Sequence, residues 1–293
     1  MNKELLYKGK KICYQVVGKG KPVVLIHGFG EDGEIWMPPQ TPPKEGLTNS
    51  QNLLGENSLL PECFQFIIPD LPGSGKSEMI DDMSIEGMAE VIKSIIDAES
   101  SLIPSSGGGR ALIGHSMGGY ITLAFAEKYP EYLNAFGLFH STAYADNEEK
   151  KNTRMKGIEF IKQHGAFEFL KTVVPNLFSQ ESRELIKGKI DAFINSLNDF
   201  SPEALVSYYE AMVQRPDRCN VLKMSKVPVL FIFGEFDVAV PLKDGLELCH
   251  LPEKSYIHIL HKSGHMGMLE ETGECYRIMD KFLKETLFNP ASI

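Results

Sequence analysis

The stretch that decides the fold is Arg110-Ala-Leu-Ile-Gly114-His115-Ser116-Met117-Gly118-Gly-Tyr120. A short apolar run ends at a glycine, and one residue after the serine a helical pattern begins. The run reads as a buried strand over Ala111–Gly114 and the pattern as a helix over Met117–Tyr129. A turn this sharp at Ser116 needs Gly114 and Gly118, because larger side chains on either side would collide. Such a turn holds the serine in a strained conformation, with its hydroxyl at the C-terminal edge of the sheet. G-x-S-x-G alone is a weak signal; between a strand and a helix it points to a nucleophile. The plain structural reading is a helix-start serine that caps the following amides.

A serine hydroxyl needs a base within hydrogen-bond reach, and the base needs an acid to orient it. Both lie downstream, on loops that follow apolar strand patterns. Val229–Phe233 runs into Gly234-Glu-Phe-Asp237-Val-Ala-Val-Pro241, and the last strand, Tyr256–Leu260, runs into Lys262-Ser-Gly-His265-Met266. The order Ser116, Asp237, His265 fits the elbow motif. Glu235 and Asp146 are the alternative acids. For His265 the plain reading is a loop histidine bonded to backbone. Two N–H donors for a developing oxyanion complete the chemistry, and losing one typically slows turnover by about 10²- to 10³-fold. Met117 N–H follows the nucleophile, and His27-Gly-Phe29-Gly30, after the early strand Pro22–Ile26, offers Phe29 N–H.

Further strands are expected from Leu5 onward, over Lys11–Val17, Gln65–Pro69 and Leu133–Phe139, and further helices over Ile85–Ala98 and Met266–Leu287. Strands separated by helices imply an α/β fold with a mostly parallel central sheet flanked by helices. The alternation stops between about Tyr144 and Leu222, where helical periodicity continues without a convincing strand; a helical insertion over the sheet's C-terminal edge is expected there. Pro38–Pro61 and Pro104–Gly109 read as long loops, the first either a second flap over a pocket or a variable surface excursion. Asp70-Leu-Pro-Gly-Ser-Gly-Lys-Ser77 contains the tail of a phosphate-binding loop, but Asp70 stands where that motif needs glycine and Pro72 lacks an N–H. A nucleotide site is not expected.

The segments "HGFG", "DLPGSGKS", "GHSMGG", "GEFDVAVP" and "SGHMGMLE" together resemble the α/β-hydrolase superfamily, in its cap-bearing esterase and lipase-like branch. In that family D-x-P-G-x-G-x-S is a common scaffold turn. The resemblance implies a hydrolase core over 1–143 and 223–293 and a cap over 144–222. It also implies Ser116 as nucleophile, His265 as general base, Asp237 as orienting acid, and Phe29 and Met117 as oxyanion donors. His140, Trp36 and Met266 are assigned to the substrate pocket, although an aromatic at the offset of Trp36 more often packs the first helix and His140 could be a satisfied buried histidine. The expected activity is serine-dependent hydrolysis, without a cofactor, of a small to medium, largely apolar carboxylic ester. C–C bond hydrolysis, aminopeptidase activity and a ligand receptor retaining the triad are alternatives.

Composition sets outer limits. The chain has 293 residues, 43% of them hydrophobic, and a net charge of −9. That balance disfavours nucleic acid or an anionic membrane as partner and leaves a small-molecule substrate. No signal peptide or membrane span is apparent, so a cytoplasmic location is expected. The five cysteines are scattered, with no C-x-x-C pair, and read as reduced thiols. His250, His258, His261 and His265 cluster in sequence, but their spacing fits no metal-ligand pattern, so no metal is expected. Oligomeric state is not legible.

Overall fold

In this computed structural model the described residues are 1–37, 63–100 and 110–288. The expected loops at 38–61 and 104–109 lie outside them. The chain opens with β1 (Asn2–Tyr7) and β2 (Lys10–Gly18), followed by β3 (Lys21–Ile26) and β4 (Phe64–Pro69). Helix α1 (Ile85–Ser100) precedes β5 (Ala111–His115), which the Ser116 turn joins to α2 (Met117–Lys128). Strand β6 (Ala135–Phe139) starts two residues later than expected, because Pro130–Tyr132 forms a turn of 3-10 helix and Leu133 caps it.

Between β6 and the next strand run α3 (Glu148–His164), α4 (Ala166–Val173), α5 (Gln180–Leu185), α6 (Lys187–Ser196), α7 (Pro202–Gln214) and α8 (Cys219–Met224). This stretch contains no strand, matching the loss of alternation in the sequence. Strand β7 (Val229–Gly234), short helix α9 (Leu242–Leu246) and edge strand β8 (Ser255–Leu260) follow. The helix expected over Met266–Leu287 is instead two, α10 (Gly267–Glu270) and α11 (Thr272–Phe288). The break is at Glu271, and both adjacent carboxylates fold back onto the preceding loop. Glu270 accepts from the Gly264 and Met266 amides, and Glu271 from the Lys262 amide and the Ser263 hydroxyl.

The sheet order is β1-β2-β4-β3-β5-β6-β7-β8. Only the pairings of β2 with β1 and β4 are antiparallel; from β4 to β8 the strands run parallel. Successive side chains of a strand point to opposite faces, and here both faces are covered. Val24, Ile26, Leu112, Leu138 and Phe231 join one apolar cluster with α1 and α2, while Val23, Leu25, Ile113, Phe139 and Ile232 join another with α11. The register aligns Ile26 with Gly114 and His115 with Phe139, so the C-terminal ends of β3, β5 and β6 lie side by side.

The Asp70–Ser77 turn is scaffold. The Asp70 carboxylate accepts from the amides of Gly33 and Lys76, and Ser77 Oγ donates to Asp70 O and accepts from the Cys13 amide. No helix follows Ser77; the next begins at Ile85, so the dipole end that a phosphate loop uses is missing. The turn also holds the helical insertion: Tyr208 Oη of α7 donates to Pro72 O at 2.7 Å and lies 2.8 Å from Ser74 Oγ. No helix among the described residues is long and apolar enough to cross a membrane.

Candidate active site

Ser116 has φ 51° and ψ −116°, a region that L-residues seldom enter. Three bonds hold it there: Ser116 N to Phe139 O at 2.9 Å, Ser141 Oγ to Ser116 O at 2.7 Å, and Gly119 N to Ser116 O at 2.9 Å. The flanking glycines are required by close approach. A Cβ on Gly114 would lie 2.1 Å from Gly118 O, and one on Gly118 would lie 2.4 Å from Ile26 O. The Ser116 side chain makes no capping bond to α2, which removes the helix-cap reading. Met117 contributes the first amide of α2, and a helix leaves its first four amides without intrahelical partners.

The loop after β3 packs directly on this turn, since a Cβ on Gly28 would sit 3.1 Å from Ser116 Cβ. Phe29, next along, is partly buried and stacks on Tyr209 of α7 with centroids 4.3 Å apart and planes at 11°. Phe169 of α4 meets its edge at 6.3 Å. The helical insertion therefore covers the loop with apolar and aromatic side chains.

Asp237 and His265 meet at the neighbouring strand ends. His265 Nδ1 lies 2.8 Å from Asp237 Oδ2, and both side chains are buried. A carboxylate only accepts, so Nδ1 carries the proton and Nε2 is left with a lone pair. Asp237 Oδ1 accepts from the Ala239 and Val240 amides at 2.8 and 2.9 Å. Burial alone would push the Asp237 carboxyl up, but the electrostatic attraction of the His265 ring and the bonds from His140 and His265 hold it far below the usual carboxylate range. The other candidate acids are engaged elsewhere: Asp146 with Arg154 and Arg215, Glu235 with exposed His261.

The contact of His140 with Asp237 is what the sequence did not reveal. It follows β6 at φ 48°, a strained conformation, and its Nδ1 lies 3.2 Å from the same Asp237 Oδ2. Burial pushes its pKa down to about 4 despite the Asp237 partner, so it donates as a neutral imidazole. Its Nε2 has no hydrogen-bond partner among the described residues and faces Gly267, where an added Cβ would lie 2.5 Å away. His140, Trp36 and Met266 were expected to line a pocket, yet they are 0%, 1% and 0% exposed. Trp36 packs edge-on to Phe139 at 5.6 Å, and Met266 belongs to the α11 side of the core. None presents an open face to a substrate in this structure.

The His265 loop is tied to the helical insertion. His265 N donates to Leu177 O at 2.6 Å, while the carboxylate of Glu270 accepts from the Gly264 and Met266 amides and from Ser179 N at 2.8 Å. Of the four histidines clustered in sequence, His258 lies within β8 and His261 pairs with Glu235 at the surface. The one group among the described residues with metal-compatible spacing is His140, Asp237 and His265, and there both Nδ1 atoms are bonded to Asp237.

Comparison with known proteins agrees with this architecture. A chain from Comamonas testosteroni, 2-hydroxy-6-oxo-6-phenylhexa-2,4-dienoate hydrolase, is 24% identical, over 94% of this chain and 91% of its own. The pimeloyl-[acyl-carrier protein] methyl ester esterase of Legionella pneumophila (strain Paris) is 26% identical over 91% of this chain and 97% of its own. Among solved structures, a thermophilic esterase from Thermogutta terrifontis superposes with a TM-score of 0.84 at 23% identity, covering 98% of this chain and 99% of that one. An enol-lactonase from Burkholderia xenovorans superposes with a TM-score of 0.80 at 19% identity, over 96% and 99%. At such identities the superpositions speak for the fold alone. Because the profile of the alpha/beta hydrolase family matches residues 23–278, most of the chain, this protein belongs to that family.

Proposed function

We propose that the protein is a serine hydrolase acting through an acyl-enzyme on small to medium, largely apolar carboxylic esters, with residues 144–222 as its cap. The observation that carries the reading is the buried 2.8 Å bond between His265 Nδ1 and Asp237 Oδ2, on a loop beside the strained Ser116 turn. In this mechanism His265 Nε2 takes the Ser116 proton as Oγ attacks the substrate carbonyl. The Phe29 and Met117 amides receive the oxyanion. His265 returns the proton to the leaving alcohol, and water then repeats the sequence on the acyl-enzyme. An apolar acyl group suits a site roofed by Phe29, Tyr209, Phe169 and Leu170.

The names of the relatives favour a second reading. Several are hydrolases of 6-oxo dienoates, which suggests cleavage of a C–C bond next to a ketone by the same groups. One experiment separates the two. p-Nitrophenyl esters of graded acyl length and 2-hydroxy-6-oxo-6-phenylhexa-2,4-dienoate are offered to the protein and to Ser116→Ala, with a fluorophosphonate adduct followed by intact mass. Ester turnover and a single adduct, both lost in Ser116→Ala, are expected. Faster turnover of the dienoate would move the second reading ahead, and absence of both adduct and turnover would overturn the triad.

A further inference from the structure

Histidines crowd the Ser116 turn, and their ring partners differ. The Leu71 amide donates to His27 Nε2 at 2.9 Å, which leaves His27 Nδ1 to donate to Gly28 O at 2.8 Å, so His27 is neutral. His140 and His265 each turn one nitrogen to Asp237. His115, fully buried, has an acceptor on each side: Nδ1 lies 3.0 Å from Glu31 Oε2, and Nε2 lies 3.0 Å from the backbone oxygen of His265. Satisfying both takes two N–H donors, or else a proton on Glu31. The partners favour two donors. The Gly28 amide also donates to the same Oε2, at 2.7 Å, and an oxygen that already accepts there suits a carboxylate receiving two N–H groups rather than a carboxyl O–H.

We infer that His115 is an imidazolium at neutral pH, and that with Glu31 it is a positioning residue linking the oxyanion loop, the nucleophile turn and the base loop. The inference rests on the roles proposed for Ser116, His265 and Phe29. Glu31 holds the Gly28 amide, one residue from the Phe29 donor; His115 is covalently joined to Ser116; its Nε2–H holds the His265 carbonyl. A single buried charge pair thereby sets the spacing of groups that must meet around one reacting carbon. Replacing a buried ion pair by apolar packing is often neutral for stability, so stability alone does not account for the pair.

The charged and titratable groups around His115 come from each neighbouring element: Glu31 after β3, Asp237 after β7, His140 after β6 at 6.0 Å between ring centroids, and His265 after β8 at 5.0 Å. Burial pulls His115 toward neutrality, but Glu31 and the His265 carbonyl raise its pKa above the ordinary value. Burial likewise opposes the Glu31 charge, and His115 with the Gly28 amide lowers its pKa. A raised histidine pKa means that the stabilisation is present below the unfolded value and is lost as pH rises through the folded one.

The test is ¹⁵N-histidine NMR on the full chain carrying Ser116→Ala, with His115 identified through contacts to the single tryptophan, Trp36. Both ring nitrogens of His115 are expected to carry protons at neutral pH, with deprotonation on the alkaline side. A neutral His115 at pH 7 would overturn the inference whether or not the chain hydrolyses esters. In parallel, His115→Gln and Glu31→Gln should each lower kcat by about 10²-fold with a smaller change in KM, the scale of a displacement near 1 Å. They should also change the alkaline limb of the rate profile. Activity within threefold in folded variants would remove the positioning role. If they do not fold, the NMR result decides.

Discussion

Asp237→Asn is the sharpest single perturbation that this site allows, because the carboxylate accepts from four donors and an amide cannot. Oδ1 receives two backbone amides and Oδ2 receives His140 and His265. An asparagine keeps its oxygen toward the Ala239 and Val240 amides, which cannot change, and turns its NH₂ toward the two imidazoles, which can. Each ring then moves its proton from Nδ1 to Nε2 and accepts from the amide. Charge-assisted bonds are worth about 1 kcal/mol more than neutral ones, so the four cost about 4 kcal/mol at most, less the relief of no longer burying a carboxylate. The fold should survive. Turnover should not, because His265 now presents a proton to Ser116 where it must present a lone pair. Removing the orienting carboxylate in this way typically lowers kcat by about 10⁴-fold, or about 5 kcal/mol of barrier. The assay is ester hydrolysis beside a urea melt, with ¹⁵N-histidine NMR to report the tautomer. Turnover within tenfold of the parent in a folded variant would refute Asp237 as the orienting acid.

Two further outcomes are expected. His140, with its pKa lowered to about 4 by burial, binds a proton more readily unfolded than folded between that value and the ordinary 6.5. Stability should therefore fall by about 3 kcal/mol on acidification across this window, and His140→Leu should flatten the slope in pH-dependent urea melts; an unchanged slope would contradict the buried neutral assignment. Tyr208→Phe strands Pro72 O and Ser74 Oγ in a buried contact between α7 and the Asp70–Ser77 turn, so it should lower the unfolding free energy by about 1–3 kcal/mol. A melt indistinguishable from the parent would mean that this contact is hydrated or dispensable.

The fold was legible because its strands are buried on both faces and so appear as apolar runs, such as Pro22–Ile26 and Val229–Phe233, with helical periodicity between them. Boundaries were less legible where a tertiary contact overrides propensity. Met266–Leu287 has the pattern of one helix, but the Glu270 and Glu271 carboxylates are drawn back to the loop around His265, and the helix breaks at Glu271. No local pattern announces that demand, which comes from a loop that must be held rigid.

The same limit explains which partnerships at the candidate site were not legible. Ser116, Asp237 and His265 stand in short motifs whose glycines and prolines reflect local backbone geometry, so the sequence offers them as candidates. Glu31, His115 and His140 act through partners 84 and 97 residues away in sequence, on strands that become neighbours only when the sheet forms. Read alone, each is an ordinary polar residue near a strand end. Packed together, His27, His115, His140 and His265 occupy one water-poor space in which every ring nitrogen must find a donor, an acceptor or nothing at all. Their protonation states thus follow from neighbours: a backbone amide keeps His27 neutral, two acceptors charge His115, and a shared carboxylate fixes His140 and His265. Among the described residues, His265 is the one of these rings whose second nitrogen is neither bonded nor pressed against backbone, and it is the one on which the proposed chemistry depends.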